Sequence, residues 1–195
     1  QLTTQGVATL RGRQFDNGGT LSARGGVDAQ FSDSVTNQTG GRLLSGGAGS
    51  LATGTLDNRG LWQSDRLTLT ADTLRNAGTL LGLDDGNIQL SGAYLGEAGS
   101  ELLSNGALSL SAATIANAGQ WQAQTVTLRG GSLRNQGGIS GAGQLNVTVD
   151  DRLENTAGAT LLGGATSLSA ASVSNGGQIQ GRNSLTVQSG GTVSN

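Results

Sequence analysis

The sequence contains no cysteine, histidine, proline or methionine, and all eleven of its basic residues are arginine. Without cysteine there is neither a disulfide framework nor a thiolate metal site. Without histidine, cysteine or lysine, and with no glycine-rich loop leading from a strand into a helix, nucleophilic and phosphoryl-transfer chemistry lack their usual parts. There is no apolar run of membrane-spanning length, and the first ten residues, QLTTQGVATL, lack the basic start and apolar middle of a signal peptide. Any export signal is therefore expected upstream. A net charge of −2 offers no electrostatic reason to expect nucleic acid or an anionic membrane as partner. These absences predict a chain that is not an enzyme, needs no cofactor, spans no membrane and has no nucleic-acid partner.

What the sequence does have is glycine, 35 residues of it, and a repeated phrase. FDNGG begins at 15, VTNQTGG at 35, LDNRG at 56, LRNAG at 74, IANAG at 115, LRNQGG at 133, LENTAG at 153 and VSNGG at 173, and the chain ends on VSN. The anchors are Asn17, Asn37, Asn58, Asn76, Asn117, Asn135, Asn155, Asn175 and Asn195, about 20 residues apart. One gap in the series is assigned to Glu97 of YLGEAG.

Two places before each anchor stands an apolar residue: Phe15, Val35, Leu56, Leu74, Leu95, Ile115, Leu133, Leu153, Val173 and Val193. Three places before, the residues are mostly hydroxylic, as at Ser34, Thr55, Thr73, Thr114, Ser132, Ser172 and Thr192. Polar beside apolar at fixed phase is strand alternation. A second alternating pair lies in mid-repeat, as Leu67/Leu69, Ile88/Leu90, Leu108/Leu110, Val126/Leu128, Leu145/Val147 and Leu185/Val187. A third apolar position follows the anchor by four residues, at Leu21, Trp62, Leu80, Trp121, Ile139 and Ile179.

Three short strands per repeat predict an all-β fold: a right-handed parallel β-helix, or β-solenoid, with about 20 residues in each three-sided coil. The expected unit is a single segment, residues 1–195, of about nine coils cut from a longer solenoid. Helical repeats fail locally, because no segment keeps apolar residues at three-and-four spacing and the glycines would each cost about 1 kcal/mol in a helix. Leucine-rich repeats need a longer return segment than the spacing leaves.

In such a coil identical positions stack about 4.8 Å apart, so the asparagines form a ladder of mutually bonded amides at a corner. Glu97 interrupts that ladder. Asp57 with Arg75 and Arg134 with Glu154 are expected to meet as ion pairs across neighbouring coils, fixing register more than adding stability. Trp62 and Trp121 read as core. Tyr94 takes the outward hydroxylic position and is the exposed aromatic of the set. The acidic pairs Asp84–Asp85 and Asp150–Asp151 read as solvated turn residues, since neighbours in sequence lack the facing geometry of a glycosidase pair. Apolar rungs left open at the two ends leave end-to-end stacking with other copies as an expected mode of self-association.

The phrase L-x-N-x-G followed by an apolar residue, a small turn and an L-x-L-x-A strand is cleanest in LDNRGLWQSDRLTLTADTLRNAG and LSLSAATIANAGQWQAQTVTLRGGSLRNQGG. It resembles the filamentous haemagglutinin repeat, over essentially the whole chain. The resemblance implies the shaft of a two-partner secretion exoprotein, either a haemagglutinin-like adhesin or a contact-dependent growth inhibition toxin, secreted to the cell surface of a Gram-negative bacterium. It implies an outer-membrane secretion transporter and a target-cell receptor as partners of the full-length protein. A structural stalk is the expected role, with adhesive binding along the rod face as the alternative. A pectate-lyase-like polysaccharide enzyme stands third, because the coils lack the long turn excursions that wall such clefts.

Overall fold

The computed structural model describes residues 1–195 and contains no helix. Its eighteen strands join one sheet that winds around the molecule, and every strand pairing in it is parallel. The chain makes a β-solenoid of about ten turns, with about 19 residues per turn. At one rung per turn the rod is about 45 Å long.

Each turn contributes three stacked segments. In the turn that follows Asn58, Leu61–Gln63 lies on Arg42–Leu44, Arg66–Ala71 lies on Ala48–Thr53, and Thr73–Asn76 lies on Thr55–Asn58. The next turn repeats the pattern, placing Leu80 on Trp62 and Ile88 on Leu69. Inward columns are apolar and outward columns polar, because side chains alternate faces along a strand. A single apolar cluster of 37 buried residues runs through the interior.

All three apolar series supply that core. Leu56, Leu74, Ile115, Leu133 and Leu153 are buried, as are Trp62 and Trp121, each 1% exposed. The mid-repeat pairs are buried too, except Leu185 and Val187 in the last turn, with one offset: Ile88 stacks on Leu69, so Leu90 falls on Ala71 and Gly86 takes the place above Leu67. Leu108 of the following turn fills that space, since a Cβ at Gly86 would lie 2.9 Å from its Cδ1.

The glycine two places after most anchors has a steric cause. A Cβ at Gly78 would lie 2.2 Å from the Gly60 carbonyl oxygen, and one at Gly137 would lie 2.1 Å from that of Gly119. Corners of neighbouring turns approach too closely for a side chain. Three corners are two residues longer and carry a left-handed glycine three places after the anchor: Gly40, Gly99 and Gly158, with φ of 81°, 83° and 80°.

At the ends the ladders run out. Leu2 at one end, and Leu185 and Val193 at the other, are each about half exposed.

Candidate functional site

The asparagine column is the most regular polar feature of the molecule. Asn37, Asn58, Asn76, Asn117, Asn135 and Asn155 are all fully buried. Each Nδ2 donates to the Oδ1 of the asparagine one turn on: Asn17 to Asn37, Asn37 to Asn58 and Asn58 to Asn76, all at 2.8 Å. The series resumes from Asn117 to Asn135 at 3.0 Å, Asn135 to Asn155 and Asn155 to Asn175 at 2.9 Å, and Asn175 to Asn195 at 2.7 Å. The second amide hydrogen goes to a backbone carbonyl, such as Leu61 O at 3.2 Å for Asn37 and Gln178 O at 3.1 Å for Asn155. Donors and acceptors are thereby satisfied inside the wall, where an unpaired amide would cost about 1 to 3 kcal/mol.

The ladder breaks once, and not at Glu97. Asn76 stacks on Gly96, and Gly96 on Asn117. Moving the anchor from Glu97 to Gly96 shifts the strand by one residue, and a shift of one exchanges inside for outside. Tyr94 therefore points inward, 1% exposed, stacked between Leu74 and Ile115, while Leu95 points outward and is 45% exposed. The expectation of an exposed Tyr94 above an inward Leu95 is corrected on both counts.

The tyrosine uses the room that glycine leaves. A Cβ at Gly96 would lie 2.9 Å from the Tyr94 hydroxyl and 2.9 Å from Asn117 Oδ1, so the phenol tip occupies the place of the missing carboxamide. It faces the Asn76 amide and the Trp121 indole but makes no hydrogen bond to either. Burial, opposed only weakly by those two neighbours, pushes its pKa well above the ordinary tyrosine value.

Glu97 lies at the corner just outside the wall, accepting from Arg75 Nε at 2.7 Å. Arg75 also bonds Asp57 at 3.1 Å, so one guanidinium links carboxylates from the turns on either side of it. The Arg134–Glu154 pair is longer, at 3.7 Å. Burial raises the Asp57 pKa, but Arg59 and Arg75 outweigh it and hold the carboxyl below its usual range. All these groups are partly solvated, so each pair is worth at most about 1 kcal/mol.

The largest concavity is a shallow groove of about 670 Å³ running along the rod over five turns. Hydroxyl and amide groups line it, among them Thr70, Asn87, Gln89 and Ser109, with Asp72 and Arg129 as its charged groups. Ser109 Oγ donates to Asn87 Oδ1 at 3.0 Å and Ser91 Oγ to Asp72 Oδ1 at 2.7 Å, so part of the lining is already paired. Asp84 and Asp85 sit at a register shift beside the strand that stacks on Arg66–Ala71. There the Asp84 carbonyl accepts from Ser104 Oγ and the Asp85 carboxylate from the Ala107 amide. Nowhere do three Asp or Glu side chains come together in a group that could hold a metal ion.

Against known proteins, no family model and no solved structure matches the chain. Curated proteins do. The chain is 74% identical over 173 residues, 89% of its length, to the deoxyribonuclease CdiA of Dickeya dadantii, covering 5% of that protein. It is 36% identical over 187 residues, 92% of its length, to the tRNA nuclease CdiA of Escherichia coli strain NC101, covering 6% of it. It is 40% identical over 149 residues, 76% of its length, to the 16S rRNA endonuclease CdiA of Enterobacter cloacae, covering 4% of it. The chain thus spans only about one-twentieth of the length of these relatives.

These names correct two expectations, that the protein is not an enzyme and that it has no nucleic-acid partner. The relatives are named for nuclease activity on DNA, tRNA and rRNA. The absence of histidine and lysine and the net charge of −2 describe these 195 residues, and such a local composition carries no information about chemistry that the relatives, about twenty times as long, place elsewhere.

Proposed function

We propose, from the close homology of this chain to CdiA contact-dependent inhibition proteins, that it is a segment of the projecting stalk of such a toxin. The observation that supports this reading is the continuity of register. Every turn stacks on the next along three sides, so length is gained one rung at a time without change in cross-section. A rod of that kind acts by geometry, setting how far from the producing cell a distal receptor-binding or toxin segment is held. The exposed Leu2, Leu185 and Val193 occupy places that are buried in interior turns, stacking on Leu21, Thr166 and Val173, which suits a segment continued by further turns.

The longer protein is accordingly a secreted, cell-surface exoprotein of a Gram-negative bacterium with nuclease activity delivered to a target cell. Its substrate is a nucleic acid, and its partners include an outer-membrane transporter and a receptor on the target. In the full-length toxin, removal of one whole turn from this segment should preserve secretion and target-cell killing while shortening the projected fibre in electron micrographs by about 5 Å per turn removed. Loss of killing with a correctly secreted and folded fibre would count against a spacer role.

A second reading rests on the groove over Thr70, Asn87 and Ser109, whose hydroxyls and amides suit contact with a polar partner along the rod face. Asn87→Ala together with Gln89→Ala would then weaken attachment to target cells without altering fibre length.

A further inference from the structure

The break in the asparagine ladder gathers more unsatisfied chemistry than the rest of the molecule together. Three buried side-chain polar atoms in the chain lack a hydrogen-bond partner: Tyr94 Oη, Ser100 Oγ and Trp121 Nε1. Tyr94 lies on this rung, Ser100 in the corner beside it, and Trp121 on the next turn, stacked on Leu102. Tyr94 and Trp121 touch edge to face, with centroids 5.0 Å apart. Ser100 Oγ lies beside the corner at Gly119, where a Cβ would meet it at 2.2 Å, and the Gly119 amide donates to Asn117 Oδ1. The contrast with Trp62 is direct. That indole donates to Ser64 Oγ at 3.2 Å, whereas the residue two places after Trp121 is Ala123.

Elsewhere each rung is tied to the next by an amide bond inside the wall. Between Asn76 and Asn117 that tie is absent across two successive stackings, and Asn76 Nδ2 keeps only its bond to Glu101 O. Gly96 cannot restore it by accepting a side chain while Tyr94 keeps its place. Regions of a fold open with free energies set by their own contacts, and buried polar groups without partners lower that cost locally.

We infer that the rung at Gly96 is a built-in opening point, a compliant joint dividing the rod into one block ending near Leu90 and another beginning near Ala107. Thermal opening, bending load or axial tension separates the stack there before it separates any other interior rung. The inference rests on the geometry of the rung and holds whatever the rod carries.

Native-state hydrogen exchange on the purified chain tests it at single amides. Glu97 and Ala118 donate to the Asn76 and Gly96 carbonyls across the break, while Ala77 and Gln136 make the equivalent bonds to Asn58 and Asn117 where the ladder is intact. Glu97 and Ala118 should exchange about tenfold faster or more than Ala77 and Gln136. The double variant Tyr94→Leu with Gly96→Asn, which rebuilds the ladder, should raise the melting temperature and bring the ratio close to one. Tyr94→Phe, which removes an orphaned hydroxyl while keeping the ring, should hold or raise the melting temperature. Equal protection at the four amides in the unmodified chain would overturn the inference. So would a fall in melting temperature for Tyr94→Phe, since the hydroxyl would then be engaged and the rung sound. Both of those readings stand even if the double variant does not fold.

Discussion

Tyr94 meets Trp121 edge to face in the middle of the rod, with ring planes 87° apart, at the one rung where the asparagine ladder is broken. Because the phenol is buried and lacks a hydrogen-bond partner, ionising it in place is costly.

That cost makes stability depend on alkali. The folded-state pKa of Tyr94 is raised above its ordinary value of 10.0, so the folded chain keeps a proton that the unfolded chain releases. The contribution is fully present below pH 10 and is lost progressively as pH rises above it. The melting temperature should therefore fall above about pH 10 more steeply in the unmodified chain than in Tyr94→Phe. The chain has a single tyrosine, so phenolate absorbance reports Tyr94 alone. A titration with an ordinary midpoint near 10 in the folded protein would show the ring to be solvent-accessible.

Inside and outside assignments can be separated at adjacent residues. Leu133 is 1% exposed and stacks between Ile115 and Leu153, while Ser132 is partly exposed on the outer face. Leu133→Asp places a charge in the apolar column and should cost more than about 4 kcal/mol, enough to abolish a cooperative melt in a chain of ordinary stability. Ser132→Asp should move the melting temperature by no more than about 2 °C. Similar losses in both would mean that the strand faces are reversed.

Within the ladder, position should matter. Asn135 donates to Asn155 and accepts from Asn117 in full burial, and its amide also bonds the backbone at Gly137 and Thr160, so Asn135→Ala breaks the ladder on both sides of the rung and should cost about 2 to 3 kcal/mol. Asn195 only accepts from Asn175, at an exposed terminal position, and Asn195→Ala should cost less than about 0.5 kcal/mol. Denaturant melts of the two variants give the comparison, and equal losses would argue that the amide bonds add little to the wall.

Most of the architecture was legible because stacking makes identical positions carry identical demands. Nine asparagines, the apolar residue two places before each and the tight glycine corner all report the same coil, and the register confirms that Asn58 stacks on Asn37 and Asn155 on Asn135. The misreading at Glu97 came from counting only spacing, since 20 or 21 residues separate a repeat from either candidate anchor. A signal was present in the longer corners. In NQTG and NTAG the left-handed glycine falls three places after the anchor, at Gly40 and Gly158. Gly99 therefore marks Gly96, and Tyr94 follows as the inward residue. The nuclease chemistry for which the relatives are named left no trace in this repeat, whose positions answer to the demands of stacking.

The register also fixes which deletions the rod should tolerate. Removing Asn135 through Glu154 joins Arg134 to Asn155, and since Asn155 already stacks on Asn135 it enters the ladder directly above Asn117. Leu161 then falls on Trp121 and Leu168 on Leu128, apolar on apolar in both columns, because those residues occupy the same columns as Ile139 and Val147. The shortened chain should fold, melt within a few degrees of its parent and lose about 4.8 Å in length by small-angle scattering. Removing Asn135 through Gln144 instead deletes half a turn, so that Leu145 takes the place of Asn135 in the polar corner and the strand from Leu145 to Val149 loses its partner at Val126–Gly130. Apolar side chains would face solvent and amides would face the core, and that chain should aggregate or lose its β-sheet circular dichroism. Equal tolerance of the two deletions would be incompatible with a coil-by-coil rod, and with a stalk whose reach is counted in turns.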